Sequence, residues 1–243
     1  MCILNAIRER RIDANLLNSL NERYLPNFPA DKSDGYIRLT THNHTAQAYN
    51  EQRLNELPTK AYAFQAKVEG NFNESLFPAD ATLLLKQGAQ VMFIRNDETG
   101  QGRYYNGKIG YVESLSQREI VVQCDDEAFA VEPSEWANSR YILDEETKEI
   151  REEIEGTFRQ YPLRLAWAIT IHKSQGSEYP IVIIPMYSCP PMLKTRNLLY
   201  TAITRAKRMV VLVGRPEIVG EMVSNSREMF RYTTLRQRLC DYI

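Results

Sequence analysis

The chain has 243 residues, 43% of them apolar and 25% charged, with a formal net charge of −1. This is the balance of a globular domain with a sizeable core, and no run approaches the ~18 apolar residues of a membrane-spanning helix. The N-terminus reaches Arg8, Arg10 and Arg11 after only a few apolar residues, so it does not read as a secretory signal. Four cysteines at 2, 124, 189 and 240 form no C-x-x-C pair, which argues against a zinc site and suits a reducing, cytoplasmic setting.

In chain order, Ile3, Leu4, Ile7, Leu16, Leu17 and Leu20 recur at helical spacing and predict one or two helices. The Pro-, Asp- and Gly-rich segment 26–35 reads as a loop, and YIRLTT from Tyr36 as a short strand. Asn43 is placed to cap a helix that ends at Pro58, and AYAFQAKVEG (61–70) alternates like one strand.

From 88 to 142 the pattern changes to short β-type runs separated by turns, which predicts a small antiparallel barrel. Residues 144–155 carry seven acids against two bases and read as a hairpin or a linker. PIVIIPM (180–186) is a continuous apolar run of the kind buried in a parallel sheet. RNLLYTAITRAK (196–207) predicts a helix, RMVVLVG a strand, and the tail from Pro216 two helices. Residues 194–238 hold ten Lys/Arg against three Glu, either a surface that meets phosphate or a solvated helix face.

Two segments carry chemistry. LRLAWAITIHKSQGSEY (163–179) fits a strand or a helix start, and delivers Thr170, His172, Lys173, Ser174, Gln175 and Gly176 just ahead of the buried run. Hydroxyls and a cation near a glycine suit a phosphate chain; a polar surface turn is the other reading. In 197–214, Leu198, Leu199, Ala202, Ile203 and Ala206 form an apolar stripe with Arg205 at its edge. A planar, permanently charged fork there suits a phosphoryl group in transit; an ordinary interfacial arginine is the other reading.

Together, TIHKSQGSEY and LLYTAITRAKRMVVLVG resemble motifs V and VI of superfamily 1 helicases, most closely the superfamily 1B branch of RecD-like and Pif1-like motors. Residues 161–176 resemble the Pif1-like members most, and 177–239 the RecD-like members. The resemblance implies an α/β fold: a RecA-like parallel-sheet domain at 35–86 and 159–243. It also implies a helical lead-in at 1–34 and an inserted Src-homology-3-like antiparallel barrel at 87–158.

By the same resemblance, Arg205 is the arginine finger, with Tyr200 and Thr204 as supports. Gln175, Gly176 and Glu178 touch the nucleotide, and Thr170, His172 and Lys173 touch single-stranded DNA. Thr41, His42 and Asn43, at a strand end, are further DNA-contact candidates, with helix capping or loop packing as the alternative.

Such a motor needs a P-loop, G-x-x-x-x-G-K-[ST]. The near match Gly102–Ile109 (GRYYNGKI) lacks the metal-binding hydroxyl at Ile109 and leads into a strand, so it reads as a hairpin turn. Asp125 and Asp126, after an apolar run, read as a hairpin tip. The expectation is therefore the C-terminal half of an ATP-dependent DNA helicase. ATP and Mg²⁺ would be held mainly by a P-loop-containing first motor domain outside these residues, with single-stranded DNA as the other partner and no metal site here. The alternative is a non-catalytic nucleic-acid-binding module. The expected geometry puts Arg205 and the 170–178 turn on the same rim of one sheet.

Overall fold

The computed structural model describes residues 2–9, 14–25, 35–143, 149–187, 189–225 and 234–241. Helices α1 (Cys2–Arg8) and α2 (Ala14–Asn21) precede β1 (Tyr36–Thr40), as the leucine spacing predicts. The loop expected at 26–35 lies, apart from Gly35, outside the described residues. Helix α3 spans Asn43–Glu56, and its cap is His42 rather than Asn43: the His42 backbone is extended and its carbonyl accepts the Ala46 N–H at 3.2 Å. One residue is a small shift for a helix boundary, but it makes Asn43 the first helical residue and removes its predicted capping role.

The alternating run 61–70 is two strands, not one. β2 (Ala61–Gln65) and β3 (Lys67–Gly70) part at Ala66, whose N–H is taken by the Ala81 carbonyl at 2.8 Å. β2 then pairs with β4 (Thr82–Lys86). The short runs that follow are β5 (Gln90–Phe93), β6 (Ile109–Leu115), β7 (Ile120–Cys124) and β8 (Glu127–Val131). β9 (Ser134–Leu143) and β10 (Ile150–Gln160) make a long hairpin, so 150–155 of the acidic stretch is strand.

β11 (Leu163–Leu165), β12 (Ala168–Thr170) and β13 (Tyr179–Met186) come next, then α4 (Arg196–Ile203), β14 (Ala206–Gly214), α5 (Pro216–Ser224) and α6 (Leu235–Asp241). The segment 163–171, ambiguous from its sequence, divides between two sheets.

A parallel sheet of order β12-β1-β13-β14 is the centre of the fold. Because alternate side chains face opposite ways, each strand feeds two cores. Ile37, Leu39, Val182, Ile184 and Leu212 pack with Ile7 of α1, Leu199 and Ala202 of α4 and Val219 of α5. Tyr36, Ile183, Val211 and Val213 pack on the other side with Leu54 of α3 and with Val91, Phe93 and Leu163. Those last three belong to an antiparallel sheet of order β11-β5-β6-β7-β8; β3, β10 and β9 form another. β3 and β11, from outside 87–158, therefore pair with strands inside it.

Two buried amides fasten these layers. Asn50 of α3 clamps edge strand β12, donating to Ala168 O at 2.9 Å and accepting from Ala168 N at 2.7 Å. Gln90 of β5 donates to Tyr36 O and Ala166 O at 2.8 and 2.9 Å, joining the antiparallel sheet to the parallel one.

Candidate nucleotide and nucleic-acid sites

In the parallel sheet Thr40 stands beside Thr170, and Arg38 beside Ile183, so Thr170 is level with Pro185. At the other end, Tyr179 stands beside Ala206. Six residues of strand separate these levels, about 20 Å at ~3.3 Å per residue. Thr170 and Arg205 thus lie at opposite ends of the strands, which corrects the expectation of a single rim. What joins the ends is the connection 171–178.

That connection is a run of tight turns. Thr170 O accepts the Ser174 N–H, His172 O the Gln175 N–H and Ser174 O the Ser177 N–H. The Ser174 hydroxyl, fully buried, donates to Ile171 O at 2.6 Å. Gly176 ends the turns in the left-handed region, φ 85°, with nothing within 4 Å of where a side chain would start. A glycine takes this conformation without the penalty an L side chain meets.

At the upper end, Thr170 is only 5% exposed, and its hydroxyl oxygen accepts the Lys173 N–H at 3.3 Å. It shapes the turn, and its hydroxyl keeps its proton and a second lone pair. His172 and Lys173 are exposed beside it. Burial pushes the Lys173 ammonium below its ordinary pKa; the Arg164 guanidinium adds to this and Asp80 opposes it. Among the described residues Lys173 has no ion pair. The Ile171 N–H bonds Thr40 O at 2.9 Å, which brings the 41–44 turn alongside.

There the Thr41 hydroxyl lies 2.8 Å from His42 Nδ1, and the His42 and His44 rings are 5.3 Å apart. All three histidines of the chain, 42, 44 and 172, thus follow two neighbouring strand ends. A groove of about 620 Å³ begins at this end, lined by Asn43, Gln47, Asp80, Arg164, Thr170 and Lys173 among others. His44 and Arg164 stand beside the predicted residues and were not singled out from the sequence. His44 was legible, two residues beyond His42 in a helix's first turn; Arg164 sits in a strand of another sheet and carried no local signal.

At the lower end, Arg205 is not on the helix. α4 stops at Ile203 because Ala206 is recruited to pair with Tyr179, whose N–H bonds Arg205 O at 2.8 Å. Arg205 therefore occupies the helix-to-strand turn. Its Nε donates to Thr201 O at 3.1 Å, Nη1 to Ser177 O at 3.0 Å and Nη2 to Thr204 Oγ1 at 3.2 Å. A guanidinium has five N–H donors, so two are left over. Gln175 and Glu178 are exposed on the same connection, and Lys207 Nζ lies 3.9 Å from Glu178 Oε2. Tyr200, half-buried in α4, shows no side-chain hydrogen bond to Arg205 among the described residues, whereas Thr204 does.

The near-P-loop 102–109 is the turn between β5 and β6 and opens no helix. Asp125, at φ 50°, turns the β7–β8 hairpin. Among the described residues no group of three or more His, Cys, Asp or Glu side chains is placed to hold a metal ion.

Residues 165–213, from β11 through β14, match the UvrD-like helicase C-terminal domain. The ATP-dependent DNA helicase PIF1 of Rattus norvegicus is 31% identical over 221 residues, covering 84% of this chain and 31% of that protein. The RecBCD enzyme subunit RecD of Mycobacterium tuberculosis is 47% identical over 72 residues, 30% of this chain and 12% of that one. A structure of Pif1 helicase from Bacteroides in complex with ADP-AlF3 and single-stranded DNA superposes with TM-score 0.68 at 30% identity. It covers 99% of this chain and 52% of that one.

The match at 165–213 identifies a UvrD-like helicase C-terminal domain. Within that class, the chain corresponds to the C-terminal half of the superfamily 1B helicases, the group of Pif1 and RecD. It spans about a third of the length of the PIF1 protein and about half of the solved chain.

Proposed function

We propose that this chain is the C-terminal motor half of an ATP-dependent DNA helicase, with a RecA-like parallel-sheet domain at 35–86 and 159–243. Residues 1–34 lead into it, and 87–158 form the inserted Src-homology-3-like module beside the DNA channel. The lower end of the parallel sheet works on nucleotide and the upper end on single-stranded DNA. The observation that carries this reading is the connection 171–178, which begins in the polar cluster at Thr170, His172 and Lys173 and ends on Arg205 through the Ser177 carbonyl.

Arg205 is the arginine finger. A fork with two free N–H donors suits a phosphoryl group carried by an opposing domain, where oriented charge is worth most. Gln175, Gly176 and Glu178 lie on the same loop end and would meet the rest of the nucleotide. ATP supplies the phosphoryl group. Mg²⁺ would be held by the P-loop half; among the described residues no group of three or more His, Cys, Asp or Glu side chains is placed to hold it.

Lys173 and His172, with Thr170 and the 41–43 turn, would hold the DNA backbone. Backbone contact needs no base readout, so binding is expected to be sequence-independent and salt-sensitive. The relatives' names as DNA helicases, and the ADP-AlF3 and single-stranded DNA held by the Bacteroides protein, support the assignment.

The chain contains no P-loop, so alone it should hydrolyse ATP negligibly while still binding labelled oligothymidylate. Adding a P-loop-bearing first motor domain should produce DNA-stimulated hydrolysis. Robust turnover by the isolated chain, or no DNA binding at low salt, would refute the reading.

A further inference from the structure

We propose that the turn 94–108 of the inserted β module is a rigid buttress that sets the position of Arg205 by bearing on Ser177. The inference builds on the role given to Arg205 above, but its geometry stands apart from that role.

Gly107 is buried, with φ 97°, and lies against Ser177: a methyl group built on it would overlap Ser177 Oγ and come within 3.2 Å of its Cβ. Ser177 in turn offers its carbonyl to Arg205 Nη1 at 3.0 Å. Next to it, Tyr179, whose N–H holds the Arg205 carbonyl, reaches Met92 of β5 with its hydroxyl. Two points of the inserted module thus back the two residues that hold Arg205 by its ends.

The turn is built stiff for an exposed connection. The Asp97 side chain is completely buried and accepts from Thr99 N and Oγ1 and from Arg103 N and Nε, at 2.7–3.2 Å. Burial alone would raise its pKa, but these bonds from Thr99 and Arg103 outweigh it and hold the carboxyl far below the usual range. The Arg103 guanidinium also covers the Phe129 ring at 5.0 Å, and Asn96 Oδ1 accepts the Asn106 N–H at 2.9 Å. Lys108 Nζ closes the turn on Arg103 O at 3.2 Å. Gly107 N is fixed to Phe93 O at 2.8 Å. The segment that mimics a P-loop in sequence has its glycine because the backbone there turns through φ 97° and lies close against Ser177, not because it cradles phosphate.

Three variants test this: Gly107→Ala, Gly107→Ala with Ser177→Gly, and Asp97→Asn. The first readout is the Arg205 Nε–H resonance of the chain alone, assigned by its loss in Arg205→Lys. It should shift or broaden in Gly107→Ala and in Asp97→Asn, and return towards its original position when Ser177→Gly makes room. The second is ATP turnover in the motor completed by a P-loop half. Because small misplacements of a reacting group are costly, kcat should fall about tenfold in Gly107→Ala and recover severalfold in the double variant, with KM for ATP within about twofold.

Thermal melting checks that each variant is folded. An unmoved Arg205 resonance in folded Gly107→Ala or in folded Asp97→Asn overturns the buttress. A moved resonance with no turnover by the unaltered motor keeps the buttress and sinks the motor reading instead.

Discussion

The two ends of the parallel sheet are built differently. The lower end is tied down: Arg205 spends three N–H donors on Thr201, Ser177 and Thr204, and Ser177 is wedged against Gly107. The upper end is open: His172, Lys173, Asn43 and His44 are exposed, and Lys173 has no ion pair among the described residues. A group that must meet a transferring phosphoryl needs a fixed place, because its value lies in pre-set orientation. A surface that grips and releases a polyanion needs reachable charge more than fixed geometry. The contrast suggests which end does which.

The largest expected effect breaks the lower end. In the motor completed by a P-loop half, Arg205→Lys should lower ATP turnover by about a thousandfold, the scale on which arginine fingers act. Lysine keeps the charge but loses the planar fork, so recovery of more than a tenth of the rate would show that charge alone suffices.

Next comes the clamp that keeps the ends in register. Asn50→Ala leaves the buried Ala168 N–H and C=O without their partner, and should cost about 1–3 kcal/mol in denaturant unfolding. A loss below about 0.5 kcal/mol would mean water replaces the amide.

At the upper end, Lys173→Gln should weaken oligothymidylate binding and make the slope of log K against log salt shallower by about 0.7, one single-strand phosphate contact. An unchanged slope would remove Lys173 from the interface.

The smallest effect is expected at Lys207. Its pairing with Glu178 spans 3.9 Å between half-exposed side chains, so Lys207→Gln should change stability by less than about 0.5 kcal/mol. A larger loss would show that the lower end is held from outside as well as by Ser177.

Much of this was legible from local pattern. The unbroken apolar run 180–186 announced a buried parallel strand, and the leucines of 196–203 a helix packed on it. The short strands from 88 to 142 were visible because turn residues separate them. What failed were decisions made by distant partners. Ala206 leaves the helix because Tyr179 pairs with it, and that alone moves Arg205 into a turn. The strand 61–70 splits because β4 and β10 compete for its halves. The separation of Thr170 from Arg205 is a matter of register, which no spacing in the sequence encodes. Ser177 acts through its carbonyl, a group every residue has, so nothing marked it in advance.

The division of labour between the ends is tested most directly by measuring single-stranded DNA affinity for Arg205→Ala and for His172→Ala/Lys173→Ala side by side, under one salt condition. The account predicts that Arg205→Ala binds within about twofold of the unaltered chain, whereas the double variant loses roughly tenfold or more, since each phosphate contact contributes to affinity. Equal losses, or a greater loss at Arg205, would contradict it.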